Sequence, residues 1–436
     1  MRALLVEFEK LKIGSPKRVR SRRTDWDAFF PYYAGYPLDF ASNILSHAGL
    51  AKDATILDPW NGSGTTTTAA IGHGFQAVGV DLNPVMAIIG KARSLQPSEA
   101  DSLVPLAREI VRQSGAVSEP SETEPLEQWF TKDAARAIRS IERIIRTILV
   151  GDLVLAGAGG NITSISPIAA TFYVALFSIC RRAASRFQTS NPTWVRVSTI
   201  EAEKSDLSKN ALCADFLECV ASMANSLQSL FVDSVTDAPT TSFICGDSAI
   251  DHVPNGTIDM VLTSPPYCTR IDYTAATRVE LAVVWPLTQH DFIDLGRTMI
   301  GSTRVPSAGI EPKRRWGPEC IKFLQKVRRH PSKASGGYYL RTHLDYFDKL
   351  DRSLGCVSHA LKLGGGAVFV VQDSYYKEVH NDLATIVGQM AFNRGLYLRR
   401  REDFNVPATL AASNPHARKY IRPQGATESV LCFERR

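Results

Sequence analysis

Several features are missing from the sequence, and each absence narrows the class of protein. The eight cysteines include no C-x-x-C pair, so neither a zinc site nor a disulfide framework is indicated, and we expect no metal. The longest strongly apolar run, residues 168–180, has 13 residues and ends at Arg181 and Arg182, so it is too short to cross a bilayer. The N-terminus carries acidic residues where a signal peptide needs an apolar run. These absences predict a cytoplasmic protein without a membrane partner.

The net charge of +6 is unevenly distributed along the 436 residues. Residues 1–24 carry a net charge of +6, and residues 301–345 carry +7, so the rest of the chain is acidic. Two concentrated basic segments on an acidic body indicate a polyanionic partner, although two solvated loops would give the same pattern. We interpret residues 1–24 as a flexible basic arm and residues 301–340 as an irregular basic loop.

The alternation of strands and helices predicts an α/β fold with two breaks. A strand, a glycine turn, a helix and a second strand follow one another from residue 54 to residue 84, which is typical of a parallel sheet. Helical periodicity then dominates until about residue 240, after which strands resume, and the end of the chain predicts an antiparallel hairpin. The sequence therefore predicts a catalytic domain of residues 25–95 and 241–436, interrupted by a helical insertion at residues 96–240.

Two motifs lie where strands of this sheet are predicted to end. The first is Asp58-Pro59-Trp60-Asn61-Gly62-Ser63-Gly64-Thr65-Thr66, whose glycines allow a ligand to approach the backbone at a helix N-terminus. Asp81 ends the next strand, where a carboxylate accepts hydrogen bonds from ribose hydroxyls. The second motif is Thr263-Ser264-Pro265-Pro266-Tyr267, after a buried strand. Tight turns and a rigid strand exit remain the structural alternatives.

The two motifs together resemble those of the amino-directed DNA methyltransferases, which use S-adenosyl-L-methionine and a Rossmann-like domain with a mostly parallel, seven-stranded sheet. The resemblance implies that the first motif holds the methionine part of the cofactor, that Asp81 holds its ribose, and that Asp247 lies near its adenine. It also implies that the aromatic segment with Tyr36, Pro37 and Phe40 covers the methionyl end, although plain packing would explain these residues equally well.

The resemblance assigns the chemical step to the second motif. The Ser264 hydroxyl and the Pro265 carbonyl accept the hydrogens of an exocyclic amine, Pro266 keeps the backbone rigid, and Tyr267 stacks on a base flipped out of double-stranded DNA. A serine at position 264 favours N4 of cytosine over N6 of adenine. An RNA methyltransferase acting on guanine, or a non-catalytic cofactor-binding subunit that recognises DNA, remains as an alternative.

Basic side chains are the candidates for DNA contact. Arg136, Arg139 and Arg143 share one face of a helix in the insertion, which makes the insertion a candidate DNA-recognition or clamp domain, although a solvated helix face is the simpler interpretation. Arg270 and Tyr273 follow the second motif and are expected at the rim of the base pocket. The basic loop adds further candidates: Arg304, Lys313, Arg314, Arg315, Arg328 and Arg329. A nucleoid-associated protein is expected, and any restriction or defence partner would be a separate chain.

Overall fold

The computed structural model describes most of the chain. The described residues are 6–17, 29–30, 35–115, 124–151, 160–189, 195–229, 239–268, 274–288, 292–305, 309–406 and 426–436. No helix within these ranges is both long enough and apolar enough to cross a membrane.

The centre of the fold is a mixed sheet of seven strands. These strands are β1 (Thr55–Asp58), β2 (Gln76–Asp81), β3 (Thr241–Cys245), β4 (Ile258–Thr263), β5 (Leu361–Gln372), β8 (Leu396–Val406) and β9 (Ala426–Arg435). Their order is β3-β2-β1-β4-β5-β9-β8, and β6 (Ser374–Tyr376) pairs with β7 (Val379–Asn381) in a separate hairpin. The first five strands are parallel, and β9 runs antiparallel to both β5 and β8. The predicted mostly parallel sheet and terminal hairpin are confirmed.

Helices pack on both faces of this sheet. In chain order they are α1 (Leu38–Ser46), α2 (Thr65–Gly72), α3 (Pro84–Ala92), α4 (Ala100–Gln113), α5 (Lys132–Ile145), α6 (Gly160–Thr163), α7 (Pro167–Ala183), α8 (Lys209–Ser229), α9 (Arg278–Val283), α10 (Trp285–Thr288), α11 (Phe292–Thr298), α12 (Pro318–Arg329), α13 (Leu340–Ala360) and α14 (Leu383–Phe392). Apolar side chains of α1 and α2 pack on one face of the sheet, and those of α12, α13 and α14 pack on the other.

Within the described residues, the predicted insertion of residues 96–240 has no separate core. Its buried side chains form one cluster with those of α3, which precedes it, and of α9, which follows β4. The cluster includes Ile89 on α3, Ile138 on α5, Phe172 on α7 and Leu281 on α9. The boundary between the catalytic domain and the insertion at residue 96 therefore remains a prediction, and the apolar packing is continuous across it.

Two segments differ from the sequence prediction. Residues 6–13 are not a free arm, because Val6, Phe8 and Leu11 are buried against the sheet. Gly366 on β5 leaves room for them, since a Cβ there would lie 2.6 Å from Val6 Cγ2. The net positive charge of residues 1–24 led to the prediction of a free arm, although the segment also contains these three apolar residues. Residues 1–5 and 18–24 of the predicted arm lie outside the described residues.

The predicted basic loop of residues 301–340 contains helix α12 and a turn of π-helix, Ser335–Tyr339, so the prediction of an irregular loop is wrong there. Pro318 occupies the first turn of α12, where proline costs no hydrogen bond. Cys320, Phe323, Leu324 and Val327 form the buried face of this helix.

Candidate active site

A pocket opens where the strand order reverses, at the carboxyl ends of β1, β2 and β4, which is the usual place for a ligand in an open α/β sheet. Both sequence motifs line it. The predicted residues brought together there are Tyr36, Asp58, Pro59, Asn61, Gly62, Ser63, Thr65, Thr66, Asp81, Asp247, Ser264, Pro265, Pro266 and Tyr267. Residues that are far apart in the chain thus share one cavity.

Asp58 ties the first motif to the second. Its carboxylate accepts hydrogen bonds from Thr66 Oγ1 and Thr263 Oγ1, both at 2.5 Å, and from the Trp60 amide at 3.1 Å. Burial raises the pKa of Asp58 to about 6, because the charged form is desolvated. Asp58 is 4% exposed, and its hydrogen bonds to Thr66 and Thr263 connect the glycine turn to β4.

The turn after Asp58 depends on two glycines and on Asn61. Gly64 has φ 86°, a conformation that residues with a Cβ rarely adopt, and it is the N-cap residue directly before α2. Asn61 folds back into the protein, where its Oδ1 accepts a hydrogen bond from Thr67 Oγ1 at 3.2 Å. A Cβ at Gly79 on β2 would lie 2.5 Å from Asn61 Nδ2, so only glycine fits there. Asn61, which was predicted to bind the cofactor, therefore supports the turn in addition to lining the pocket.

Asp81 lies opposite this turn and orders it. One carboxylate oxygen accepts the Gly62 amide and the other accepts the Asn83 amide, each at 2.8 Å. Burial raises the pKa of Asp81 to about 6. Each oxygen keeps a second lone pair, and the carboxylate lines the pocket, so it is able to accept hydrogen bonds from a vicinal diol such as ribose.

The remaining predicted cofactor residues lie around this centre. Asp247 lines the pocket, and its Oδ1 accepts the Ala249 amide at 2.9 Å within the turn that follows β3. The Tyr36 hydroxyl lies 2.6 Å from Thr66 Oγ1, and its ring packs on Phe40 at 5.1 Å. Pro37 directly precedes α1. Tyr36 thus lines the pocket, whereas Pro37 and Phe40 are not among the lining residues.

The second motif is held by residues that come from other strands and helices. Ser264 Oγ donates a hydrogen bond to the Val370 carbonyl of β5 at 3.0 Å. The Tyr346 hydroxyl donates to the Pro266 carbonyl at 2.9 Å, and the Tyr267 hydroxyl donates to Glu428 Oε1 at 3.2 Å. Because the Ser264 proton is directed to the backbone, the lone pairs of its oxygen are available as acceptors.

Sequence reasoning missed several residues of the pocket. They lie beside the motifs or on a distant loop, and they are Gly35, Leu82, Asn83, Met86, Ser248, Thr298, Met299 and Ile300. Trp60, which belongs to the first motif, also lines the pocket. Asn83-Pro84 is a helix-start signal directly after Asp81, and Asn83 Oδ1 does cap α3 through the Val85 amide. Residues 298–300 carry no comparable signal, because only the tertiary fold brings them to the pocket.

The predicted DNA contacts on the insertion are not all available. The Arg139 guanidinium contacts Glu124 at 2.8 Å, Glu142 at 3.3 Å and the carbonyls of Ala282 and Val283 on α9. The prediction that Arg139 contacts a phosphate is therefore wrong, since its guanidinium is largely buried within these partners. Arg136 lies at the surface and pairs with Asp133, and Arg143 is partly buried. The ridge of three exposed arginines does not exist as predicted.

The DNA contacts predicted on and around α12 fall into two groups, basic residues that pair with α13 and basic residues that are exposed or partly exposed. Arg315 pairs with buried Asp351 at 2.7 Å, and Lys313 pairs with Asp348. Both basic side chains are therefore already paired with acidic residues of α13. Arg314 is exposed at the same end of α12, and Arg304 is partly exposed. Arg328 and Arg329 are exposed at the other end, next to His330, which contacts Glu378 in the hairpin after β5. Arg270 and Tyr273 lie outside the described residues.

Two curated proteins match part of the chain. The chain is 25% identical to the Type II methyltransferase M.BsoBI of Geobacillus stearothermophilus over 273 residues, which are 58% of this chain and 51% of that protein. It is 22% identical to the Type II methyltransferase M.MvaI of Kocuria varians over 229 residues, 49% of this chain and 46% of that protein. The match thus spans about half the length of these curated relatives. No family model matches the chain.

Similarity to solved structures is weak. The rRNA methyltransferase aviRa from Streptomyces viridochromogenes is 10% identical, with a TM-score of 0.29 over 96% of both chains. The predicted resemblance to methyltransferases is confirmed by the sequence relatives, and the fold assignment rests on the strand order. The paired carboxylates, the glycine turn and the apolar lining residues Leu82 and Met86 fit the predicted cofactor, S-adenosyl-L-methionine.

Proposed function

We propose that this chain is an S-adenosylmethionine-dependent DNA methyltransferase that modifies the exocyclic amine of a flipped base, with N4 of cytosine favoured over N6 of adenine. The observation that carries the proposal is the shared pocket, in which the acceptor oxygen of Ser264 faces the same cavity as the carboxylate of Asp81. When bound, S-adenosylmethionine supplies an electrophilic methyl group. The sequence relatives of this chain are Type II methyltransferases, which supports this class of reaction.

In a base, the lone pair of the exocyclic amine is delocalised into the ring. The reaction requires that this lone pair become available for attack. Ser264 Oγ directs its proton to Val370, so it meets an amine as an acceptor. The Pro265 carbonyl is the second acceptor, and Pro266 is held by Tyr346, so the two acceptors keep a fixed spacing. Acceptance of both amine hydrogens favours a pyramidal nitrogen, and the rigid tetrapeptide keeps that nitrogen in near-attack geometry. Tyr267 supplies an aromatic face for the base.

The target amine is inaccessible within a stacked duplex, so the base must be flipped out at a cost of about a few kcal/mol. We assign the phosphate contacts to the exposed end of α12, with Arg328 and Arg329, together with Arg304. His330, the next residue, contacts the hairpin that follows the carboxyl end of β5, so this end of α12 lies towards the edge of the sheet that carries Ser264. The opposite end of the helix is a weaker candidate, because Lys313 and Arg315 already pair with acidic residues of α13.

The test of the reaction is mass spectrometry of nucleosides from the DNA of a methylation-deficient host that expresses this chain. N4-methylcytosine is the expected product, and a Ser264→Ala variant expressed at the same level is the control. N6-methyladenine would keep the enzyme class but contradict the preference for cytosine. Neither mark, with transfer to RNA instead, would favour the RNA methyltransferase alternative; no transfer at all would favour a non-catalytic subunit.

The test of the DNA surface is a salt titration of binding. Replacing Arg328 and Arg329 with glutamine is expected to reduce the slope of log affinity against log salt by about 0.9 for each phosphate that is no longer neutralised. Arg136→Gln is the matched control, because Arg136 is also an exposed helical arginine but already pairs with Asp133. An unchanged slope in the Arg328/Arg329 variant would contradict this assignment.

A further inference from the structure

Helix α13 supports the pocket at two places on one of its faces. The Tyr346 hydroxyl donates to the Pro266 carbonyl of the tetrapeptide at 2.9 Å. Lys349, three positions later, donates from Nζ to the carbonyls of Arg297 at 2.9 Å and Met299 at 3.2 Å. Side chains three residues apart are neighbours on a helix surface, so one face of α13 holds both the tetrapeptide and this second segment.

The segment that Lys349 contacts forms part of the pocket. Thr298, Met299 and Ile300 line the same cavity as the Ser-Pro-Pro-Tyr tetrapeptide, and we call them the pocket wall. Thr298 is the last residue of α11, and the last carbonyls of a helix have no partner within the helix. The Lys349 ammonium therefore supplies donors for carbonyls at the end of α11.

The pocket wall lies against the tetrapeptide. Gly301 directly follows the wall and has φ 79°. A Cβ at this glycine would lie 3.3 Å from the Tyr267 carbonyl and 4.0 Å from Tyr346 Cδ2. A shift of the wall would therefore change the space beside the base that we propose to stack on Tyr267.

Apolar packing alone does not tie the wall to one part of the protein. Met299 packs in the cluster that contains the helical insertion, whereas Ile300 packs in the cluster that contains α12 and α13. The wall thus lies where the two clusters meet. The hydrogen bonds from Lys349 fix it to α13, which is the helix that also holds the tetrapeptide.

A lysine suits this position because its ammonium has three donors and three acceptors surround it. Besides the two carbonyls, Asp345 Oδ2 lies 2.9 Å from Nζ. Lys349 is 8% exposed and Asp345 is 4% exposed, so both charges lie in the interior. Loss of one partner of a buried ion pair leaves an uncompensated charge, so a test of Lys349 has to separate the position of the wall from the stability of the fold.

We propose that Lys349 is a positioning residue for methyl transfer, and that it fixes the pocket wall beside the tetrapeptide through the carbonyls of Arg297 and Met299. This inference rests on the proposed function. Lys349 is not among the residues that line the pocket, so it acts through the wall and not on the base or the cofactor. A fixed wall limits how far a flipped base turns and keeps its amine next to Ser264.

The first variant is Lys349→Met, assayed by transfer of labelled methyl groups to DNA from a methylation-deficient host. Its kcat/KM for DNA is expected to fall about tenfold, because a small displacement from near-attack geometry is costly. The Kd for S-adenosylhomocysteine, measured by calorimetry well below the melting temperature, is expected to stay within about twofold, because the wall abuts the tetrapeptide. A rise in this Kd as large as the fall in kcat/KM would overturn the inference.

The double variant Asp345→Asn/Lys349→Met separates positioning from stability. It leaves no carboxylate unpaired in the interior, so its melting temperature is expected to exceed that of Lys349→Met. The loss of kcat/KM is expected to remain about tenfold, because the two carbonyls still lack their donor. Recovery of kcat/KM together with the melting temperature would reduce Lys349 to a stabilising residue and overturn the inference.

Lys91→Met is the matched control. Lys91 is 7% exposed, and its Nζ also donates to carbonyls, those of Ile162 at 3.2 Å, Ile165 at 2.7 Å and Thr163. None of these is among the described residues that line the pocket. Lys91→Met is therefore expected to lower the melting temperature but to keep kcat/KM within about twofold. A loss of kcat/KM equal to that of Lys349→Met would overturn the inference.

Hydrogen exchange measured by mass spectrometry tests the positioning without turnover. Lys349→Met is expected to accelerate exchange about tenfold in peptides that cover residues 296–303 and to leave residues 160–166 unchanged, whereas Lys91→Met should do the reverse. Exchange of residues 296–303 at the wild-type rate in Lys349→Met would overturn the inference. Failure of the proposed function is recognised separately, as a wild-type chain that binds S-adenosylhomocysteine but transfers no methyl group to DNA.

Discussion

The two sides of the pocket are built in different ways. On the cofactor side, Asp58 and Asp81 are satisfied mainly by neighbours in the chain, such as Trp60, Thr66, Gly62 and Asn83. On the base side, the tetrapeptide is held by Val370, Tyr346 and Glu428, which are 80 to 161 positions away from the residues they bind. The first side is a local structure that short sequence motifs encode, whereas the second exists only once the sheet has formed.

This difference explains what the sequence could predict. The glycine turn, Asp81 and the Ser-Pro-Pro-Tyr motif lie at strand ends, and parallel strands bring their carboxyl ends to one edge, so their convergence followed from the strand pattern. Tyr346 lies within a long helix and Glu428 within a strand, and neither position differs in pattern from ordinary helix or strand residues. No periodicity distinguishes a residue that faces the site from one that faces the core.

For the same reason, charge was the least informative sequence feature, and it did not distinguish arginines that are free to contact DNA from arginines that are paired inside the protein. Arg139 and Arg328 both lie on amphipathic helices, and the sequence gives each an equally polar neighbourhood. The structure surrounds Arg139 with Glu124, Glu142 and two carbonyls, whereas it exposes Arg328 at a helix end. Glu142 lies on the same helix as Arg139, but Glu124 and the two carbonyls of α9 come from other elements, and spacing along one helix contains no information about them.

The largest effect is expected on the base side. Replacement of Ser264 by alanine removes an acceptor that acts only on the reacting amine, so kcat is expected to fall by about 100-fold or more. The Kd for S-adenosylhomocysteine should stay within about twofold, because Ser264 contributes to transfer and not to cofactor affinity. Single-turnover kinetics and calorimetry on the same preparation measure both, and a large loss of cofactor affinity would contradict the division into two sides.

The matching change on the cofactor side is Asp81→Ala. It removes the acceptor proposed for the ribose and also releases the Gly62 and Asn83 amides, so the Kd for S-adenosylhomocysteine is expected to rise by about 50-fold. Asp53→Ala is a suitable control, since Asp53 is exposed two residues before β1. Thermal unfolding of both variants shows whether the turn has collapsed. A wild-type affinity for Asp81→Ala would remove Asp81 from the cofactor site.

A change in pH is expected to alter the cofactor side through Asp58 and Asp81. Burial raises the pKa of both Asp58 and Asp81 from 3.8 to about 6, so the folded state holds more protons than the unfolded state between these values. The corresponding contribution to the free energy of unfolding is fully present below about pH 4 and is lost as the pH rises through about 6. Cofactor binding has the opposite dependence, because ribose hydroxyls need an ionised acceptor.

The Kd for S-adenosylhomocysteine is therefore expected to increase by about tenfold between about pH 7.5 and about pH 5, measured by calorimetry in buffers of constant ionic strength. Asp81→Asn should flatten this profile, because asparagine does not titrate. A profile in the variant that is as steep as that of the wild type would assign the pH dependence to another group, with Asp58 the first candidate.

The smallest effect is expected where the base side is supported from a distance. Glu428 is 6% exposed, its pKa is raised by burial, and it accepts the hydroxyl of Tyr267. Glu428→Gln keeps an acceptor of similar shape, so it should lower kcat by less than about twofold, whereas Glu428→Leu removes the acceptor and should lower kcat by about fivefold. Tyr267→Phe removes the other half of the same bond, and we expect the double variant Tyr267→Phe/Glu428→Leu to be no worse than Glu428→Leu alone. Additive losses would mean that Glu428 acts on the site without Tyr267, and the tetrapeptide would then need a different support on this side.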